Sequence, residues 1–388
     1  MDIYLLIKRK LVLLLTLLFV SCIPNQDIYI EPTQIFGDEY KLIETIELDW
    51  PYTWVQDIYL MNDSILVNAS ISKPFQFVDK WFAYDINTRQ EIWSVRGDVI
   101  SAFYPPLVYD DQNLYSGSTH LKAINLRTGE IQWEHAVNAA NSISVSETLV
   151  FLGDKYSIQI YNKASGELVF TNDMGFRPGT FYDIDRNWFS VVSDEHISIY
   201  DGTTGDLLKD YANLLSGHNS MFSCYSEEDV TYWNGKLVCA GKYVNLEMNY
   251  LQKKEYIGGL WLSQVEDNIV FLLLDENLAA YDLSAEKILW QKAFYENNNN
   301  GQQVFIRSKV FTLPSYGAVF TSDSNLQIFS LDDGKEISST HLYTNRNFEG
   351  LSIKNFPNFI AANDKYVIVA LEDSKLSIYE KIKSHEIN

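Results

Sequence analysis

Ala123-Ile124-Asn125-Leu126-Arg127-Thr128-Gly129-Glu130-Ile131-Gln132-Trp133 is one copy of an eleven-residue cadence that recurs along the chain. Ala83 to Trp93 (AYDINTRQEIW) and Ala280 to Trp290 (AYDLSAEKILW) repeat it, and looser copies run Ile160 to Phe170, Ile199 to Lys209 and Ile328 to Ser338. Ile378-Tyr379-Glu380 is a final half-copy. The second residues of these copies stand at 84, 124, 161, 200, 281, 329 and 379. The first gaps are 40, 37 and 39, and the 81-residue gap leaves room for one hidden unit, placed at Lys236–Tyr256. A period near 40 residues is that of a propeller or a solenoid.

The residue types explain the cadence. An alternating strand such as Leu278-Ala279-Ala280-Tyr281 ends at Asp or Asn, whose short side chain accepts from backbone N–H groups two residues on and starts a turn. Asp85, Asn125, Asn162, Asp201 and Asp282 hold that slot and are read as structural. Gly129, Gly166, Gly205 and Gly334 hold the seventh slot, where a positive φ is needed. A second strand then carries Trp93, Trp133, Phe170 or Trp290, read as core between neighbouring sheets. Upstream of each copy lies another strand, for example 148–152, 268–273 and 366–370. Strand, turn, strand, Asp-turn, strand, with a fourth strand near the junction, makes a four-stranded propeller blade. The expected fold is all-β, a propeller over 40–382 of most simply eight blades, with seven as the alternative, followed by a tail at 383–388. The orphan strand 40–48 is expected to pair with the last copy, which lacks its outer strand, and so close the ring.

The cadence resembles the A-x-D-x-x-T-G-x-x-x-W repeat of the pyrroloquinoline-quinone-like (quinoprotein-type) propeller family. Residues 123–133 match nearly slot for slot, with Asn125 in the Asp position; Arg89 and Glu286 replace the Gly, and Lys209 and Ser338 the Trp. True quinoprotein dehydrogenases of that family add adjacent cysteines and a metal site at the quinone. No two cysteines are adjacent here. The resemblance therefore implies the fold without the cofactor.

The other strong signal is at the N-terminus. Lys8-Arg9-Lys10 precede the apolar run Leu11 to Val20, and Ser21-Cys22 follow. This order reads as a secretory signal over 1–21, and the run is shorter than the ~20 residues a bilayer span needs. Leu18 to Cys22 resembles the lipobox of bacterial lipoproteins, which implies cleavage between Ser21 and Cys22, lipid on Cys22 and a tether over 22–39. An ordinary secreted protein is the alternative. In the enterobacterial sorting rule Asp directly after the Cys keeps a lipoprotein in the inner membrane; Ile23 here implies the outer one.

Charge narrows the partners. The formal net charge is −21, and losing residues 1–21 removes Asp2, Lys8, Arg9 and Lys10, a net +2, leaving about −23. Such a protein is repelled by phosphate backbones, which excludes nucleic acid as a partner. Cys224 and Cys239 are the remaining cysteines, and in an oxidising compartment they form either a disulfide or two buried thiols. The six histidines are dispersed and offer no clustered metal site, and no Gly-x-Ser-x-Gly or His-Glu-x-x-His motif occurs.

The expectation is a monomeric, lipid-anchored envelope propeller with no catalytic residues, cofactor or metal, acting as a protein-interaction scaffold. Non-catalytic members of the resembled family act so in outer-membrane β-barrel assembly. The alternative is a ligand- or glycan-binding lipoprotein that captures its ligand in the central funnel, with exposed loop-tip aromatics such as Tyr104, Trp188 or Tyr316, for each of which packing is the preferred reading. A quinone-dependent dehydrogenase is the third reading.

Overall fold

The computed structural model describes residues 35–36, 39–48, 53–61, 63–73, 76–99, 107–117, 119–138, 140, 142–174, 179–183, 186–192, 196–212, 230–233, 236–239, 242–245, 253–255, 260–263, 268–274, 277–293, 306, 308, 310–314, 316–321, 325–341, 360–372 and 375–382. Their named elements are all β-strands, arranged in eight antiparallel sheets. The first sheet holds Thr53–Met61, Ser64–Lys73, Gln76–Asp85 and Glu91–Val99; the second Leu107–Tyr109, Asn113–Gly117, His120–Asn125 and Ile131–Ala136. The third holds Ser142–Val145, Leu149–Gly153, Ser157–Asn162 and Leu168–Asp173; the fourth Gly179–Asp183, Trp188–Val192, His196–Asp201 and Leu207–Ala212. The hidden unit is the fifth, with Val230–Trp233, Lys236–Cys239, Lys242–Asn245 and Lys253–Glu255. The sixth holds Leu260–Trp261, Ile269–Leu274, Asn277–Asp282 and Lys287–Ala293; the seventh Phe311–Thr312, Tyr316–Phe320, Asn325–Ser330 and Glu336–His341. The eighth combines Ile360–Ala362, Tyr366–Glu372 and Lys375–Lys381 with Tyr40–Glu47 and Ile35–Phe36 from the other end of the chain.

First strands of successive sheets lie side by side: the second sheet's against the third's, the third's against the fourth's, the seventh's against the eighth's and the eighth's against the first's. Middle strands are covered on both faces, so they read as continuous apolar runs. Leu149–Gly153 and Tyr316–Phe320 are buried throughout, whereas the outer strand Leu168–Asp173 is exposed throughout. Hydroxyls join the first strands of the third and fourth sheets. There Ser144 Oγ donates to the Thr180 carbonyl at 2.8 Å and the Thr180 N–H donates to Ser142 Oγ at 3.0 Å.

One turn is built six times. Asp85 Oδ1 accepts from the N–H groups of Asn87 and Thr88, and Asn125, Asn162, Asp201 and Asp282 accept in the same way from residues two and three positions on. Ser330 is shorter and takes one such bond, from Asp332. The seventh slot is left-handed in every copy: Gly129 at φ 71°, Gly166 at 70°, Gly205 at 76° and Gly334 at 68°. Arg89 and Glu286 adopt it without glycine, at 63° and 52°. The turn geometry is thus kept where the sequence pattern lapses, at a local cost of about 1–2 kcal/mol each.

In three repeats the aromatic slot links one sheet to the next, whereas Phe170, expected as core in the same slot, lies 40% exposed on an outer strand. Trp93 Nε1 donates to the Leu126 carbonyl at 2.8 Å, Trp133 Nε1 to the Lys163 carbonyl at 3.0 Å and Trp290 Nε1 to the Leu331 carbonyl at 2.7 Å. Each acceptor directly follows the turn-starting Asn or Ser of the following repeat. Each indole also lies against that repeat's seventh-slot glycine: Trp93 on Gly129, Trp133 on Gly166 and Trp290 on Gly334.

The eighth sheet repairs the interrupted last repeat. Tyr40–Glu47 pairs antiparallel with Lys375–Lys381, placing Leu42 opposite Tyr379 and Glu44 opposite Ile378, with the register shift between them. Trp93 and Glu91 meet Ala83 and Tyr84 in the same way, across the same shift. Leu42-Ile43-Glu44 therefore stand in the last three slots of the cadence, and Glu44 takes the Trp slot. Ile35–Phe36, expected in the tether, is instead a short strand paired with Tyr40 and Lys41. The cause is burial: the Phe36 ring packs on Tyr379 with centroids 5.4 Å apart.

Candidate functional site

The repeated residues are committed to architecture. Backbone N–H groups, Thr88 first for Asp85 and Thr204 first for Asp201, hold both carboxyls below the ordinary aspartate range, and Ala285 with Ser284 does the same for Asp282. A carboxylate held this way is a turn component, acceptor-saturated by its own loop. Trp93, Trp133 and Trp290 are buried in core clusters.

A polar knot ties the second and third sheets on the side of the Asp turns. Lys163 Nζ sits 2.7 Å from Asp110 Oδ2 and donates to the Ser146 carbonyl at 3.1 Å. Tyr115 Oη donates to the same carboxylate at 3.3 Å. Burial alone would raise Asp110, but Lys163 and the N–H groups of Asn113 and Gln112 outweigh it and lower the carboxyl. Burial, then the Asp110 charge, push the Tyr115 phenol upward, so it stays a donor. Every member of this knot has a partner inside the fold.

A groove of about 810 Å³ opens at the other end of the same two sheets. One wall is the hairpin Asp154 to Ser157 of the third sheet; the other includes Thr119 and the linker residues Val137 and Asn138. Thr171 and Asp173, on the exposed outer strand of the third sheet, complete it. The walls are fixed by backbone bonds: Val137 N–H to the Thr119 carbonyl, Asp154 N–H to the Ser157 carbonyl and Met174 N–H to the Tyr156 carbonyl. Asp154 is 2% exposed and anchors both sides, accepting from Asn138 N–H at 3.3 Å, Lys155 N–H at 2.5 Å and Gln159 Nε2 at 3.2 Å. Behind it, Tyr161 Oη donates to Gln159 Oε1. Burial, then the Asp154 charge, push that phenol up to about 12. Tyr156, 52% exposed, offers its ring to solvent beside Lys155.

Sequence reasoning did not find this groove. Asp154-Lys155-Tyr156 looks like any polar hairpin, and its opposing wall comes from another repeat. Of the loop-tip aromatics, for which packing is the preferred reading, Tyr316 is core, 6% exposed in a middle strand where both faces are covered. Trp188 is half-buried with Arg186 and Lys209 beside its ring. Tyr104, Ser21, Cys22 and Cys224 lie outside the described residues, and Cys239 is described by its backbone alone, opposite Val230. Among the described residues no group of three or more His, Cys, Asp or Glu side chains is placed to hold a metal.

Sheets of four antiparallel strands, stacked through their faces and linked in sequence by tryptophan, define a β-propeller. Within it, residues 79–246 match the family model described as outer membrane protein assembly factor BamB. No curated protein matches the chain in sequence. The computationally designed Ika8 protein is similar in structure, with TM-score 0.58 and 14% identity over 86% of this chain and 98% of that one. Sqt1 of Chaetomium thermophilum, solved bound to the N-terminus of ribosomal protein L10, gives 0.55 and 13% over 86% and 98%. BamB from Moraxella catarrhalis gives 0.36 and 12% over 88% and 99%. Ika8 and Sqt1 bear on the fold alone.

Proposed function

We propose that the chain is a lipid-anchored propeller of the bacterial cell envelope that serves, without catalysis or cofactor, as a scaffold for other envelope proteins. One conjunction carries this reading: the Lys8 to Cys22 leader on a propeller whose family model is described by an outer-membrane assembly factor. Cleavage behind Ser21 would leave Cys22 to carry the lipid, at about 0.8 kcal/mol for each buried CH₂. Ile23 favours the outer membrane. The acidic balance suits basic or neutral protein surfaces as partners.

Two measurements test the reading. Cys22→Ala should move the protein from the membrane to the soluble fraction; unchanged membrane association overturns the anchor. Affinity recovery of the intact chain from solubilised membranes should bring down a stoichiometric envelope protein. Recovery of the chain alone overturns the scaffold.

A further inference from the structure

We propose that the groove between the second and third sheets binds a neutral saccharide. The scaffold reading does not require this site, and its readouts are separate. At about 810 Å³ the groove falls within the usual range for small-ligand sites, roughly 300–1,000 Å³. Its lining decides the ligand class. Tyr156 supplies an exposed aromatic ring, the surface on which the C–H face of a sugar packs. Thr171, Thr119 and Ser157 supply hydroxyls that both donate and accept, matching the two-way character of sugar hydroxyls. Asp173, exposed on the outer strand, brings a carboxylate to the same wall.

The same lining argues against other classes. Two carboxylates beside one ammonium, Lys155, disfavour a phosphate or other anion. Among the described residues Val137 is the one aliphatic side chain lining the groove, too little surface for a lipid chain. The site is also preformed. The buried Asp154 ties the Asn138 linker to its own hairpin, and backbone bonds at Val137, Asp154 and Met174 hold the walls. A ligand therefore meets a fixed surface and little ordering cost is due on binding.

The test uses the full chain in detergent and a panel of neutral oligosaccharides of two to six sugars, drawn from α-glucan, β-glucan, mannan and chitin. Calorimetry or saturation-transfer NMR should find at least one binder with Kd below about 10 mM. Tyr156→Ala should weaken it at least tenfold, and Thr171→Val, which keeps the side-chain shape, several-fold. Tyr109→Ala, at an exposed tyrosine outside the groove, should leave it unchanged. Melting curves matching the parent's establish that each variant folds. The proposal is overturned if no sugar binds, if binding survives both groove substitutions, or if a lysine-rich peptide probe binds there while the sugars do not.

Discussion

Gly129 of the second sheet lies against the indole of Trp93 in the first, so closely that a Cβ there would stand 2.7 Å from Trp93 Cγ. The glycine has two duties: a left-handed backbone and room for the neighbouring repeat's ring. Gly205 has only the first, because an added Cβ would meet Ile160 and Leu149 at 3.4 Å or more. Gly129→Ala and Gly166→Ala should therefore cost about 1–2 kcal/mol for positive φ and a further ~1–3 for displacing the indole. Gly205→Ala should cost only the first part. Urea unfolding compares them, and equal losses would remove the second duty.

The indole and the glycine should be energetically coupled. Trp133→Phe forfeits the bond to the Lys163 carbonyl and should cost about 1–3 kcal/mol; Trp133→Ala should cost about 3–5. With the ring gone, Gly166→Ala should become cheaper than in the parent. A double-mutant cycle measures this, and strict additivity would show that the contact does not hold the two repeats together.

Acid should act through the Asp turns. Asp85 and Asp201 have depressed folded values, so their stabilisation is full above the unfolded value near ~4 and is lost as pH falls through the folded one. Asn125 and Asn162 build the same turn without titrating. Asp85→Asn combined with Asp201→Asn should flatten the fall in melting temperature between about pH 5 and pH 3. An unchanged slope would place acid sensitivity elsewhere.

Where the eighth sheet meets the first, an ion pair stands in place of the tryptophan–glycine contact. Glu44 occupies the aromatic slot and Arg89 the glycine slot, with Arg89 Nη1 3.0 Å from Glu44 Oε2. Both side chains are well exposed, so coupling should stay under about 1 kcal/mol and shrink as salt rises to about 1 M. A Glu44→Gln and Arg89→Gln cycle at two salt concentrations measures it. A larger, salt-insensitive coupling would make this pair the seam of the fold.

Most of the architecture was written locally. The Asp and Asn turns, the seventh-slot glycines and the alternation of Leu278 to Tyr281 act within a few residues, so a linear reading recovers them. Even the hidden fifth unit follows from the spacing. Two local readings failed for one reason, that burial depends on distant partners: Phe36 joins the eighth sheet through Tyr379, and Phe170, read as core between sheets, is left 40% exposed.

What the chain determined by itself is the blade, its period and its turn, because each rests on backbone geometry and short-range hydrogen bonds. Only the tertiary structure decided which tryptophan meets which glycine, that Glu44 and Arg89 replace that pair, and that Asp154, Tyr156, Asn138 and Thr119 line one groove. Those relations join different repeats, tens of residues apart. They arise only when the sheets stack and bury their shared faces.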